Sequence, residues 1–107
     1  RSIAQRLLDT ENVIYSLQEL SSIIPEAERV ALNRRVIQLT MDYIYNVINL
    51  TRSNRQLDNA LQRLRNHGLY PLPDKKFTKK YSSFRKMINS RIGRKMLLLT
   101  IPKINSK

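Results

Sequence analysis

Apolar residues recur along the first 51 positions at alternating spacings of four and three, the signature of helix faces rather than strands. Ile3, Leu7, Thr10, Ile14, Leu17, Ser21 and Ile24 lie on one such face, and Leu8, Val13 and Leu20 widen it. This predicts a first helix from about Ser2 to Ile23. Pro25 ends it and suits the first turn of the next. Glu26 and Glu28 then complement the positive end of that helix's dipole. A second helix is expected from about Pro25 to Thr51. Ala27, Val30, Arg34, Ile37, Met41, Ile44, Ile48 and Thr51 continue the alternation, with Val36, Tyr43, Val47 and Leu50 in a row beside it. A stripe this broad packs against more than one neighbour, over roughly 40 Å at the ordinary helical rise.

Ser53-Asn54-Arg55-Gln56 has the spacing of a capping box. It starts a third helix, with Leu57, Leu61 and Leu64 on the buried face, or it is absorbed into a bent continuation of the second. Gly68 suits a left-handed C-cap, and Arg65 and His67 complement the negative end of the dipole there. Tyr70-Pro71-Leu72-Pro73 cannot be helix, because two prolines one residue apart hold the chain extended. The four-three spacing returns at Phe77, Tyr81, Phe84 and Ile88 and extends through Ile92, Met96 and Leu99. A break is expected at Asn89-Ser90 and a stop at Pro102, with fraying beyond it. The fold expected is an all-α bundle of three to five helices in one structural domain. Residues 1–68 form its helical bundle, 69–74 an extended connector, and 75–107 a basic amphipathic helical segment. The first two helices carry more apolar face than a hairpin can bury, so self-association through one of them is also expected.

Composition narrows this picture. Two Gly and four Pro suit long regular elements. The absence of Cys excludes disulfides and thiolate metal sites, and a single His excludes a His-rich one. The longest apolar run, Met96-Leu97-Leu98-Leu99, is too short to span a bilayer. The chain opens at Arg1 already in helical pattern, with no signal-like stretch. The expectation is that it is the C-terminal piece of a longer protein.

Charge changes the picture most. The net charge is +12, and it is one-sided. Residues 1–66 hold nine Lys/Arg against seven Asp/Glu, whereas residues 67–107 hold eleven against Asp74 alone. Such an excess speaks to what the surface meets, not to folding. The basic set is Lys75, Lys76, Lys79, Lys80, Arg85, Lys86, Arg91, Arg94 and Lys95. Interleaved with it are Tyr70, Phe77, Tyr81 and Phe84, followed by Met96 and Leu99. One reading is an interfacial helix, its cations on anionic headgroups and its aromatic and aliphatic residues anchored in lipid. A second is phosphate-backbone binding with stacked bases. A third is an acidic protein partner, and the plainest is a solvated face over a packed core. The leucine run favours lipid over nucleic acid, since phosphate binding has no use for exposed apolar area.

No catalytic or metal-ligating constellation stands out. Asp9/Glu11 and Glu26/Glu28 are two apart, which points each pair to different faces of a helix, and both are expected to be surface charge. Asp42 is expected to hydrogen-bond within its helix near Gln38 and Asn46. His67 has no Ser, Cys or carboxylate partner placed by sequence and is expected to cap. Tyr43 and Tyr45 are expected to be half-buried helix residues. Asn49-Leu50-Thr51 fits the glycosylation tripeptide but falls inside a helix. With only Gly68 and Gly93, no phosphate-cradling glycine loop exists.

The seam His67-Gly68-Leu69-Tyr70-Pro71-Leu72-Pro73, followed by Lys80-Tyr81, Phe84-Arg85, Asn89 and Gly93, resembles the C-terminal tail of certain bacterial family-2 glycosyltransferases. These transfer sugars from nucleotide donors during assembly of surface polysaccharides. The resemblance covers about the last forty residues and touches the first two helices only by type. It implies an upstream catalytic domain carrying an Asp-x-Asp motif, a nucleotide-sugar and a divalent metal. No Asp-x-Asp occurs in this chain, so no catalytic residue carries over and no cofactor is expected in this fragment. The implied role is a non-catalytic accessory region. It would hold the parent enzyme at the inner, cytoplasmic face of an anionic membrane, or mediate self-association. A nucleic-acid-binding helical module and an oligomerisation domain are the alternatives.

Overall fold

Among the described residues five helices form in the order the spacing predicts: α1 Ile3–Ser21, α2 Glu26–Thr51, α3 Asn54–Asn66, α4 Lys79–Ile88 and α5 Arg91–Asn105. The computed structural model describes residues 2–74 and 78–105, and side chains as far as Leu98. Among the described residues there is no strand.

Local chemistry sets the ends. Ser2 Oγ accepts from the Gln5 amide at 3.1 Å and caps α1. At the other end, Arg29 reaches back from α2 and donates to the carbonyls of Ser21 and Ile24 at 2.8 and 2.9 Å. It thereby satisfies two acceptors of the turn between the helices. Arg52 is left-handed, with φ 51°, and breaks α2 from α3. Ser53 Oγ then accepts from the Gln56 amide at 3.2 Å, so the capping box opens a separate helix. Gly68, at φ 74°, closes α3 in a Schellman motif. The Leu69 amide donates to Leu64 and the Gly68 amide to Arg65. Thr78 caps α4 through the Tyr81 amide. Asn89 and Ser90 separate α4 from α5, Ser90 Oγ accepting from Gly93 at 3.3 Å. α5 continues past Pro102 to Asn105, beyond the expected stop. So near a helix end, a proline deletes one backbone bond with little helix left to disrupt.

α2 is the central element. α1, α3, α4 and α5 all pack on it, and one core joins Ile14, Tyr43, Ile48, Leu57, Leu64, Tyr70, Tyr81, Ile88 and Leu97. The basic C-terminal segment is therefore part of the bundle. The buried stripe of α2 runs through Val36, Thr40, Tyr43, Ile44, Val47 and Ile48. That centres on the row expected to be secondary. Ala27, Val30 and Arg34, expected on the main face, are exposed. On α1, Leu8, Val13 and Leu20 are exposed, and Glu11 is buried instead.

Glu11 was expected to be surface charge, yet only 2% of it is exposed. The reason is its partners. Arg63 of α3 grips both carboxylate oxygens, Nε at 2.8 Å and Nη2 at 3.0 Å. Tyr43 of α2 donates to it at 2.5 Å and Tyr15 at 2.7 Å. A carboxylate with four donors is fully satisfied, so burial that would be prohibitive alone becomes tolerable. Burial by itself would raise its pKa. The bonds from Arg63, Tyr43 and Tyr15 and the Arg63 charge outweigh that, and the pKa is held below the usual carboxylate value. Burial and the Glu11 charge push both tyrosine hydroxyls up. The Tyr15 ring also stacks on His67, centroids 3.7 Å apart and planes 9° from parallel. His67 Nδ1 lies 3.0 Å from the Arg63 carbonyl oxygen, so the histidine serves the end of α3 as expected.

Where α5 crosses the end of α4, Gly93 is buried against backbone. A Cβ at this position would stand 2.2 Å from the Met87 carbonyl oxygen and 2.6 Å from its Cα. This close approach corrects the expected register of α5. The buried positions are Gly93 and Leu97, while Ile92 and Met96, which continue the four-three spacing of α4, are 73% and 52% exposed.

Two predictions follow from these contacts. Helix propensity alone would make Gly93→Ala stabilising by about 1 kcal/mol. The backbone clash reverses the sign, and overpacking of this kind costs about 1–3 kcal/mol. Thermal melts should show a lower Tm for the variant; a higher one would mean the helices part at no cost. The second concerns Glu11. Its folded pKa is depressed, so its stabilisation is complete above the unfolded value of about 4.3 and is lost as pH falls through the folded value. Glu11→Gln should cost about 1–3 kcal/mol at neutral pH, less whatever solvent screens at the half-exposed Arg63. Urea midpoints from pH 7 down to 3 should fall more steeply for the wild type than for the variant.

Candidate functional site

The connector between α3 and α4 decides where the basic helices lie, and it is bonded along its length. The Gln18 amide of α1 donates to the His67 carbonyl at 2.7 Å. Tyr70 Oη donates to the Ile88 carbonyl at 2.7 Å. The Asn89 side chain pairs with the backbone of Leu72 in both directions, each bond 3.1 Å. Tyr81 Oη donates to the Pro73 carbonyl at 2.7 Å, and burial pushes that hydroxyl's pKa up. An extended proline segment has no helical partners for its carbonyls. Asn89 and Tyr81 supply donors to those of Leu72 and Pro73, and Tyr70, donating to Ile88, fastens the connector to the α4–α5 corner.

This accounts for several residues expected as anchors. Tyr70 and Tyr81 are core residues, 5% and 1% exposed, and their rings are committed to the bundle. Phe84 is half-buried and lies 6.5 Å from Tyr45, centroid to centroid. Met96 is exposed. Lys75, Lys76 and Phe77, and the side chain of Leu99, lie outside the described residues. Asp42 is exposed.

The basic residues divide into two groups. Lys79, Lys80, Lys86, Arg91 and Lys95 are exposed. Arg85 and Arg94 are half-buried and take part in the fold. Arg85 lies 3.5 Å from Asp74, and its buried Nε has no acceptor. Arg94 donates from one nitrogen to Tyr70 Oη at 2.9 Å and to the Ile88 carbonyl at 3.1 Å.

Around α5 the order of side chains follows from the helical angle. From the buried strip of Gly93 and Leu97, the surface passes Arg94, then Arg91 and Lys95, then Ile92 and Met96. The cations and the exposed apolar residues are neighbouring strips of one helix. On the cationic side, α5 faces α3 across a cleft of about 340 Å³ that Arg65, Arg91, Arg94 and Lys95 line, with Asp58 the one carboxylate among its lining residues. Tyr70 forms part of the wall. The Arg65 guanidinium lies 5.3 Å from its ring centroid, and Arg94 bonds its hydroxyl.

Sequence reasoning found Arg91, Arg94 and Lys95 but placed Arg65 only as a helix-end cation. It belongs to the part of the chain with little net charge, and only the placing of α3 and α5 on either side of the cleft, both packed on α2, brings it there. Among the described residues, no group of three His, Asp or Glu side chains is placed to hold a metal ion. No protein-family model, curated protein or solved structure matches this chain.

Proposed function

We propose that this chain is a non-catalytic accessory module that meets an anionic membrane surface through α4 and α5. The observation that carries the reading is the outer side of α5, where Ile92 and Met96 are exposed beside Arg91 and Lys95. A face that only solvates charge has no reason to expose two large apolar side chains along one strip. A face that enters the headgroup region uses both kinds of residue. Lys79, Lys80 and Lys86 of α4 extend the positive field. Among the described residues no helix is long and apolar enough to cross a membrane, so the contact proposed is peripheral. The resemblance of residues 67–93 to the tail of family-2 glycosyltransferases supports the same role. In that setting the upstream catalytic domain would hold the nucleotide-sugar and the metal, and this module would keep it near lipid-linked acceptors at the inner face.

A second reading has its own observation. Leu20, Ile23 and Val30 are exposed around the turn between α1 and α2, away from the basic helices in sequence. Isolated exposed apolar residues are ordinary; three around one turn favour contact with an upstream domain or a second copy.

Each basic residue near an anionic bilayer contributes about 1 kcal/mol, and salt screens it. The apolar part is not screened. Flotation with anionic vesicles should therefore show binding that weakens with salt but persists, and neutral vesicles should bind poorly. Changing Lys79, Lys80, Lys86 and Lys95 to Glu should abolish it while the helical circular dichroism stays. Tight binding of short oligonucleotides with no vesicle binding at low salt would transfer the assignment to nucleic acid. For the second reading, sedimentation should show self-association that Ile23→Ser with Val30→Ser removes; a monomer at high concentration would sink it.

A further inference from the structure

We infer that the cleft between α3 and α5 is a discrete binding site for a phosphomonoester or diphosphate group. The inference goes beyond surface attraction, and it holds whether or not the outer strip of α5 meets a bilayer.

Four cations, Arg65, Arg91, Arg94 and Lys95, line one cavity with Asp58 as the single carboxylate there. Among the described residues none of the four forms an ion pair, in contrast to Arg63 with Glu11 and Arg85 with Asp74. Like charges converging without counter-charge repel one another, and a bound dianion removes that repulsion. Three of the four are arginines, whose planar fork matches phosphate oxygens two at a time. The volume, about 340 Å³, falls at the low end of the range for small-molecule sites. It suits a phosphorylated group carrying a small substituent.

The site is built as well as charged. Tyr70 is buried and fixed by its bond to the Ile88 carbonyl. It holds Arg65 over its ring and Arg94 on its hydroxyl. Two guanidiniums from different helices are thus positioned by one rigid side chain, which lowers the ordering cost of binding. Arg94 spends one terminal nitrogen on Tyr70 and Ile88, and its remaining N–H groups are available to a ligand.

The phosphoryl group has two possible sources. One is a soluble phosphate ester. The other is a lipid headgroup, for which the adjoining strip of Ile92 and Met96 would receive the start of the apolar portion.

Pyrophosphate is the probe for the site itself. Titration into the intact chain, followed by calorimetry and by the side-chain Nε signals of arginine, should saturate and shift Arg65 and Arg94. Arg65→Gln with Arg91→Gln should weaken binding at least about tenfold, the loss of charge-assisted bonds. Lys79→Gln with Lys86→Gln, the same change in charge outside the cleft, should leave it nearly unchanged. Unaltered circular dichroism would confirm that both variants fold. Vesicles of phosphatidic acid, compared with phosphatidylserine at matched surface charge, separate the sources. Preference for phosphatidic acid that pyrophosphate competes away supports the lipid source; saturation by pyrophosphate with no such preference supports the soluble one. Pyrophosphate binding that does not saturate, or that falls equally in both double variants, overturns the site. In that event vesicle binding could still stand on net charge alone, and it could fail while pyrophosphate binding stood.

Discussion

The hydrogen bonds between the connector and the α4–α5 corner are the constraint on which the rest of the arrangement depends. Tyr70 to Ile88, Leu72 to Asn89 and Pro73 to Tyr81 each tie an extended backbone to a helix that comes later in the chain. Without them, residues 69–74 would carry unsatisfied polar groups into the bundle, and α4 and α5 would have no fixed direction of return. With them, α5 comes back across α2 and faces α3 over the cleft. Tyr70 joins both consequences. Its ring fills the core, its hydroxyl terminates α4, and its two faces of contact with Arg65 and Arg94 shape the basic cleft.

Much of the helical order was legible because it rests on local chemistry. A serine three residues ahead of a backbone amide makes a cap, and a glycine at positive φ closes a helix wherever the chain goes next. Ser53, Gly68 and the Asn89-Ser90 break behave that way. Which face of each helix is buried was less legible, since that is settled between helices. Glu11 is inside because Arg63 and Tyr43 reach it from fifty-two and thirty-two positions away, and the one partner in its own helix, Tyr15, does not by itself announce burial. Gly93 misled the α5 register for a related reason. A glycine contributes nothing to an apolar pattern, yet its missing side chain is what lets the α4 backbone approach, so the contact runs through Gly93 and Leu97. The cationic residues were visible as composition, but the cleft was not. Its fourth cation is Arg65, supplied by α3, outside the basic C-terminal segment.

The residues that carry the glycosyltransferase resemblance have structural work in this chain. Gly68 closes α3, Tyr70 and Tyr81 fill the core and hold the connector, Asn89 pairs with Leu72, and Gly93 permits the helix crossing. A motif of that kind reports how a segment folds. The contacts proposed above rest instead on residues outside the motif, Arg65, Arg91, Lys95, Ile92 and Met96, which the same fold leaves exposed.

Charge and stability are joined by this architecture. The C-terminal part has one acid, Asp74, and its partner Arg85 lies 3.5 Å away with the carboxylate largely in solvent, a geometry that contributes little. The strong pair, Glu11 with Arg63, joins α1 to α3 and does not offset the cations of α4 and α5. Their mutual repulsion is borne by apolar packing of Tyr81, Ile88 and Leu97 on α2. A structure that accepts such a cost is more stable with an anion in place than without, because any ligand that binds only the folded cleft adds its binding free energy to folding. The same repulsion that weakens the empty bundle therefore sets the affinity available to a phosphoryl group. Neutralising the cleft would relieve the first and remove the second together.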